Sequence, residues 1–265
     1  MQGCICPHPP LLIPEVGGGA RGKIASTVAA MERLAELVGE PDTIVVISPH
    51  ADGFADAHGV KTSRRLYGDF GRFRCPEAAF SYDTDVPFAE LLLALAGDYR
   101  QLRLIPDDGE VLDWGVLVPL SFLNVREIVT LSIVGPYAEH RTLGRLVRRC
   151  AQELGRDTLF LASGDLSHAL IHGAPAPYDP RGKLFDDEIV DLMRIGDFGR
   201  LTRIEPVLLE GAAECGLRSF IALGGFLGDN AIDSPKVLSY EGPYGVGYLV
   251  AHFDCCEHSR SGVGA

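Results

Sequence analysis

Three histidines in this sequence follow short apolar segments that predict buried strands. His8 comes after residues 3–6, His50 after residues 43–48, and His168 shortly after residues 158–162. Sites in open α/β sheets form outside the carboxyl ends of the strands, so we expect these side chains at one sheet edge. A single histidine in such a place is more often a capping or hydrogen-bonding residue. Three histidines at equivalent positions make a metal or proton-transfer site about as well supported as that structural role.

Two histidines and one carboxylate form a facial triad with open coordination positions, which suits non-heme Fe(II) and oxygen chemistry. Three residues are candidates for the third ligand: Glu214, its neighbour Cys215, and Glu241. Spacing alone does not choose among them. The other histidines are expected to be structural or to lie in the tail: His58, His140, His172, His252 and His258.

The elements that would position these residues alternate along the chain. Apolar spacing predicts helices over residues 23–38, 86–95, 140–153, 185–193 and 217–227, with a shorter helical piece over 206–212. Buried strands are predicted at 3–6, 43–48, 128–134 and 158–162 and a short strand at 103–105, with a loop or ragged hairpin over 52–75. This pattern predicts a single α/β domain over residues 1–253 with a mostly parallel central sheet and helices on both faces. Strands 237–240 and 246–253 form an antiparallel closing pair, and residues 254–265 are expected to be a disordered tail.

The composition excludes several partners. The chain has 265 residues and a net charge of -12, so nucleic-acid phosphates and anionic membrane surfaces would repel it.

Its 7 cysteines include no CxxC pair, which suits free thiols in a reducing cytoplasm. Prolines at 7, 9 and 10 interrupt any early apolar run, so we expect no signal peptide, and no run approaches the ~20 residues of a membrane helix. The sequence does not decide whether the protein forms a homo-oligomer.

Five segments in order carry a family resemblance. Together they resemble the class III extradiol ring-cleavage dioxygenase superfamily in its B-type subunit, and are most similar to the Memo-like branch of the AmmeMemoRadiSam system proteins. The resemblance covers nearly the whole chain to about Phe253; because the sequence ends soon afterwards, the fusion partner domain of such proteins is not expected. The segments are CPHPPL (6–11), SPHA (48–51), SGDLSH (163–168), AECGLR (213–218) and YEGPYGVGY (240–248).

The resemblance implies roles for particular residues. His8 and His50 match the two histidine ligands of Fe(II), while Zn(II) or another divalent metal is an alternative cofactor. The third ligand falls at Glu214 or Cys215; Glu214 is favoured because hard oxygen ligands suit Fe(II), although the Memo-like branch has a cysteine there. His168 matches the active-site acid/base, and Asp165 in the same segment is a further catalytic candidate.

One segment departs from the family pattern. Close relatives have Leu-Asp-His-Gly where this chain has Leu112, Asp113, Trp114 and Gly115. An indole cannot accept the proton that the histidine would accept, but it can stack on a flat substrate or fill the site. Because Asp113 and Gly115 flank it, we expect Trp114 to lie in a turn and to line the metal pocket.

The leading hypothesis is therefore an Fe(II)-dependent extradiol-type dioxygenase that acts on a catechol-like aromatic substrate and O2. The principal alternative is a Memo-like protein that retains the site for redox, metal-handling or partner-binding work without ring cleavage. A weaker alternative is a zinc hydrolase, because two histidines and a carboxylate also suit Zn(II) with a bound water.

Overall fold

The computed structural model describes residues 1–51, 54, 56–228 and 232–255. Within them the chain forms one α/β domain around a twisted sheet, which confirms the predicted fold class. Most of the predicted disordered tail, from residue 256 onward, lies outside the described residues; residues 254 and 255 belong to the last strand. No helix in the described part of the chain has the length and apolar character needed to cross a membrane.

The strands are β1 (Gln2–Cys6), β2 (Thr43–Ser48), β3 (His58–Lys61), β4 (Arg65–Phe70), β5 (Cys75–Thr84), β6 (Leu104–Asp107), β7 (Glu127–Ser132), β8 (Thr158–Ser163), β9 (Ile232–Glu241) and β10 (Tyr248–Cys255). The α-helices are α1 (Pro14–Gly17), α2 (Ala25–Val38), α3 (Val86–Ala96), α4 (Trp114–Leu120), α5 (Tyr137–Leu154), α6 (Pro180–Ile195), α7 (Pro206–Ala212) and α8 (Leu217–Leu227). Short 3₁₀ helices span Pro10–Leu12, Gly18–Ile24, Gly71–Phe73 and Phe198–Arg203.

The sheet order is β4-β5-β7-β2-β8-β1-β10-β9, with β3 beside β7 and β6 beside β3. The five strands from β5 to β1 along this order are parallel to one another. Strands β10 and β9 add antiparallel pairs, and β4 forms an antiparallel hairpin with β5. The described part of the segment 52–75, expected as a loop or ragged hairpin, contains β3, β4 and a 3₁₀ helix. Strand β3 pairs with β6 and β7, and only β4 forms a hairpin, with β5, which starts at Cys75 and extends to Thr84.

Strand β2 shows why helices cover both faces of the sheet. All six residues are buried, and successive side chains of a strand point to opposite faces. Val45 and Ile47 pack into a core layer with residues of α3, α5, α6 and α8. Ile44 and Val46 pack into a second layer with residues of α2 and α4. A strand whose residues are buried on both faces therefore has a helical layer on each side of the sheet.

The carboxyl ends of β1, β8 and β2 are level and adjacent. Cys6 pairs with Ser163, and Ile47 pairs with Ala162. His8, Asp165 and His50 each follow the last residue of their strand by two positions. Three parallel neighbours that end together therefore place these three residues at one sheet edge.

Candidate metal centre

His8 and His50 face each other at this edge. Their Nε2 atoms are 3.0 Å apart, and His8 is almost fully buried. The sulfur of Cys215 lies 3.6 Å from His8 Nε2. The donor atoms of His8, His50 and Cys215 all lie within 4.8 Å of one another.

Two of the three donor-atom separations match those expected around a single ion. Typical bonds to a divalent metal are about 2.1 Å for nitrogen and about 2.3 Å for sulfur. At angles between about 90° and 110° such bonds give ligand–ligand separations of about 3.0 to 3.6 Å. The distances between the His8 and His50 nitrogens and between His8 and the Cys215 sulfur lie in this range. The residues present could therefore hold one metal.

A serine fixes which nitrogen of His8 is free. The Ser163 hydroxyl donates to the carbonyl of Gly115 at 2.5 Å, so its oxygen accepts from His8 Nδ1 at 2.8 Å. The proton of the neutral ring then resides on Nδ1, and the Nε2 lone pair points toward His50 and Cys215. Burial lowers the pKa of His8 to about 3, with a smaller contribution from the charge of His168. The ring is neutral at pH 7, the form that binds a metal.

Burial also lowers the pKa of His50 to about 3, with contributions from His8, His168 and Arg72. The pKa of the Cys215 thiol is raised well above its usual value by burial and by the charge of Asp165. Loading of a metal at this site would therefore displace the thiol proton, and binding should tighten as the pH rises.

The turn between α7 and α8 presents Cys215. Ala213 has a left-handed φ of 51°, which reverses the chain after α7. A Cβ on Gly164 would lie 2.2 Å from the Cα of Gly216, so only glycine at 164 lets this turn approach the end of β8 so closely. The Asp165 N–H donates to the Cys215 sulfur at 3.3 Å. The sulfur is thereby held beside His8.

The carboxylate of Glu214 points elsewhere. It accepts from the backbone N–H of Leu217 at 2.6 Å and from the Tyr137 hydroxyl at 3.3 Å. Glu241 is also turned away from the histidines, since it accepts from both the N–H and the hydroxyl of Thr27. Of the three sequence candidates, the structure thus brings only Cys215 into the cluster with His8 and His50.

Asp165 and His168 lie on the loop after β8. Asp165 is buried, accepts from the His8 N–H at 3.0 Å, and has its other oxygen 3.7 Å from His8 Nε2. Burial raises the pKa of Asp165 to about 6. The backbone of His168 is fixed by a bond to Ala212 O, while its Nδ1 is buried without a hydrogen-bond partner among the described residues. Because its charge lowers the pKa of His8 and His50, it lies within electrostatic range of both.

Trp114 begins helix α4 rather than lying in an isolated turn. Asp113 is its N-cap and accepts from the Gly115 N–H at 2.7 Å. The indole stacks on His50, with ring centres 4.3 Å apart and planes 25° apart. It also lines a cavity of about 240 Å³ beside His50. The structure thus places the indole against a candidate ligand, as expected. The aliphatic residues that follow it in α4 are buried in the core, and the partly buried indole packs against that core.

Hydrogen bonds at the start of α4 connect the two candidate histidine ligands, His8 and His50. The Ser48 hydroxyl accepts from the His50 N–H at 3.2 Å and donates to Asp113 at 2.7 Å. Gly115 bonds to Asp113 through its N–H, and its carbonyl accepts from Ser163, the partner of His8. Ser48 and Ser163 lie in the segments that carry the family resemblance, but no role was predicted for either from the sequence. Each is the last residue of its strand, two positions before a site residue, and this repeated spacing was the available signal.

Gly115→Ala should weaken metal binding by about 10–100-fold, the range for groups that orient metal ligands. The added Cβ would lie 2.4 Å from Ser48 Oγ and 2.8 Å from Asp113 Oδ1. The hydroxyl must then move, and the bonds that fix His50 are lost. Competition titrations against a chelator measure the effect. Gly97→Ala is the matched control, because its nearest contact is an ordinary 3.5 Å; equal affinities in both variants would reject this role.

His58 and His140 pack against each other and are not part of the His8, His50 and Cys215 cluster. Their ring centres are 5.4 Å apart, and their Nδ1 atoms bond to the carbonyls of Ser132 and Pro136. Burial lowers the pKa of His58 and lowers that of His140 to about 4. His252 bonds to Gln2. These hydrogen bonds and the ring contact agree with the structural role expected for the three histidines.

His140 should make the protein sensitive to acid. Its folded pKa of about 4 is below its unfolded value, so its stabilising contribution is complete above pH 6.5 and is lost as the pH falls toward 4. His140→Asn keeps a donor for Pro136 O but does not titrate. Between pH 7.5 and 5.0, the unfolding free energy of the variant should gain about 2 kcal/mol relative to the parent protein. Urea unfolding in the presence of a chelator measures this; parallel pH profiles would contradict it.

Comparisons with known proteins give consistent matches. A family model described as the catalytic LigB subunit of aromatic ring-opening dioxygenase matches residues 2–251. Protein CA_C1420 of Clostridium acetobutylicum is 30% identical over 273 residues, which cover 97% of this chain; the chain spans only 58% of that protein. The 2-aminophenol 1,6-dioxygenase beta subunit of Pseudomonas sp is 25% identical over 249 residues, with 80% of each chain covered. The crystal structure of uncharacterized protein JW3007 from Escherichia coli K12 has the same fold, with a TM-score of 0.61, 20% identity, and coverage of 96% of this chain and 100% of that one.

Proposed function

Because the chain belongs to the family of catalytic LigB subunits of aromatic ring-opening dioxygenases, we propose that it is an extradiol-type dioxygenase for a catechol-like substrate. The observation that carries the proposal is the convergence of His8, His50 and Cys215 on one point within this fold. The similarity to a 2-aminophenol 1,6-dioxygenase beta subunit supports a ring with two adjacent oxygen or nitrogen substituents.

We propose Fe(II) as the metal, with Cys215 in the place of the carboxylate that many such sites use. A thiolate is a softer ligand than a carboxylate, and two imidazoles with one thiolate also suit Zn(II). Bound at these residues, a divalent metal would lower the pKa of a catechol hydroxyl as a Lewis acid. Metal content after anaerobic purification distinguishes the two ions.

The chain's own residues have separate roles in this proposal. Ser163 keeps the proton of His8 on Nδ1, and Ser48 holds the backbone of His50. His168, whose Nδ1 has no partner among the described residues, accepts and returns the proton of a substrate hydroxyl. Trp114 and Phe73 narrow the cavity beside His50 and exclude water from one side of it.

Oxygen uptake tests the proposal directly. Iron-loaded protein should consume O2 in the presence of a catechol and produce a yellow ring-opened product with equal stoichiometry. Apoprotein is the control. A fully iron-loaded protein that consumes no O2 with catechol, aminophenol or their substituted forms would overturn the proposal. Hydrolysis of simple esters by a zinc-loaded protein would then favour the zinc hydrolase.

A Memo-like protein without ring cleavage is the second candidate, and Trp114 is the observation that favours it. The indole occupies the position beside His50 where the family resemblance expects a histidine. In a dioxygenase, Trp114→His should raise turnover of catechol by at least about tenfold, because it restores a proton-accepting group. Trp114→Phe is the control, since it opens space without adding that group. Oxygen-electrode traces at equal iron loading that show no gain would favour the Memo-like alternative.

A further inference from the structure

The loop that carries His168 is bound through its backbone to the turn between β9 and β10. The Leu166 N–H donates to the Gly247 carbonyl at 2.8 Å, and the Gly247 N–H donates to the Ser167 carbonyl at 2.8 Å. The His168 N–H donates to the Ala212 carbonyl at 2.9 Å. The imidazole itself has its Nδ1 buried without a hydrogen-bond partner among the described residues. The direction of this ring therefore depends on the backbone of the loop.

Asp186 of α6 holds the residue that precedes His168. The Asp186 side chain is fully buried, and its Oδ1 accepts from the Ser167 N–H at 2.8 Å. Its Oδ2 accepts from the Tyr240 hydroxyl of β9 at 2.7 Å. A Cβ on Gly247 would lie 2.1 Å from this Oδ2, so the glycine leaves room for the carboxylate beside the turn. One carboxylate thus joins α6, β9 and the loop that carries His168.

The acceptor in these contacts carries a charge at neutral pH. Burial raises the pKa of Asp186 to about 6, while the hydrogen bonds from Tyr240 and Ser167 and the charge of Lys183 oppose that rise. Hydrogen bonds to an ionised acceptor are shorter and roughly twice as strong as those between neutral groups. Without the Tyr240 hydroxyl, the carboxylate would have one contact fewer to fix its direction, and its bond to Ser167 should weaken.

We propose that Asp186 and Tyr240 are positioning residues that hold the His168 imidazole in place for proton transfer. They act through the backbone of Ser167, and neither belongs to the cluster of candidate metal-binding atoms. The inference rests on the proposed function and adds to it the groups that orient its acid/base. Because a displacement of about 1 Å in an active site can cost about 100-fold in rate, a loosened loop should lower turnover without releasing the metal.

Tyr240→Phe tests the proposal with the smallest change, since it removes one hydroxyl and keeps the ring. With catechol as the probe, kcat of the iron-loaded variant should fall by about 10-fold, while KM and metal content stay within about twofold of the parent values. Asp186→Ala removes both hydrogen bonds and should lower kcat by about 100-fold. Tyr244→Phe is the matched control, because Tyr244 lies on the same turn but its hydroxyl donates to the Ala20 carbonyl. We expect its kcat to equal that of the parent protein.

A double-mutant cycle with His168→Gln separates positioning from a general structural role. In the His168→Gln background the imidazole is absent, so Tyr240→Phe should cause no further loss of kcat. A residue that only stabilises the fold would lower kcat by the same factor in both backgrounds. That result, or an unchanged kcat in both Tyr240→Phe and Asp186→Ala, would overturn the proposal.

Nuclear magnetic resonance observes the His168 ring without turnover. In zinc-loaded protein that contains isotope-labelled histidine, the imidazole signal that disappears in His168→Gln identifies this ring. The signal should shift or split in Tyr240→Phe and Asp186→Ala and stay unchanged in Tyr244→Phe. An unchanged signal in the first two variants would overturn the positioning role, whatever the iron-loaded protein does with O2. If the iron-loaded protein consumes no O2 but the signal responds as expected, ring cleavage is rejected and the positioning of His168 stands.

Discussion

Cys215→Ala should release the metal, whereas Glu214→Gln should leave it bound. Of these two side chains, Cys215 is the one that lies with the two histidine nitrogens, with its sulfur 3.6 Å from His8 Nε2. The Glu214 carboxylate instead bonds to Leu217 N–H and to the Tyr137 hydroxyl. Loss of a direct ligand should raise the dissociation constant by more than about 100-fold, beyond the range for groups that only orient ligands.

Metal content by elemental analysis and competition with a chelator measure both variants. Thermal unfolding of the two apoproteins controls for folding, because Glu214 stabilises the start of α8 and its loss should affect stability more than affinity. Retention of metal by Cys215→Ala together with its loss from Glu214→Gln would restore the carboxylate as the third ligand.

His168→Gln should reduce turnover by about 10²–10⁴-fold and leave metal content nearly unchanged. The side chain lies within electrostatic range of both histidine ligands but outside the cluster of donor atoms. Its Nδ1 is buried without a hydrogen-bond partner among the described residues, so the ring carries a polar atom that no described residue uses. Glutamine keeps polar atoms of similar reach but does not exchange a proton near pH 7.

His172→Gln is the matched control, because His172 lies four residues further along an exposed part of the same loop and contacts Tyr178. We expect its turnover to equal that of the parent protein. Steady-state oxygen uptake at equal metal loading measures both variants. A His168→Gln protein that loses its metal would make His168 a ligand, and equal rates in the two variants would remove its acid/base role.

The sequence was most informative about the sheet and the histidine-bearing loops. Residues 44–47 are apolar and rich in β-branched side chains, which is typical of a short strand covered on both faces. Parallel strands have their carboxyl ends on one side, so His8 and His50 could be placed at one edge before their distance was known. The histidine-bearing ends of β1, β8 and β2 are indeed adjacent.

The choice between Glu214 and Cys215 could not be made from the sequence. Neighbouring residues in a turn point in different directions, and here the direction depends on the positive φ of Ala213 and on the contact between Gly164 and Gly216. Neither feature follows from hydrophobic periodicity. The preference for a hard oxygen ligand considered the metal alone, whereas the backbone of this turn decides which side chain reaches it.

The local sequence also did not predict two features beside the cavity, the start of helix α4 and the position of Arg72. Trp114–Leu120 was expected to start as a turn, but Asp113 caps a short helix that accommodates Pro119. Arg72 follows a glycine in a segment rich in charged and aromatic residues, and nothing in its local sequence indicates its position over Trp114. That position follows from the hairpin β4–β5, whose place in the sheet is set by the long-range pairing of β5 with β7.

The most direct test of the metal centre is anomalous diffraction from crystals of the protein loaded anaerobically with Fe(II). We predict one anomalous peak at roughly 2.0–2.4 Å from His8 Nε2, His50 Nε2 and Cys215 Sγ, which are typical ligand distances. Data on both sides of the iron absorption edge identify the element. A peak bound by Glu214 instead of Cys215, or no peak between His8 and His50 in fully loaded protein, would contradict the account.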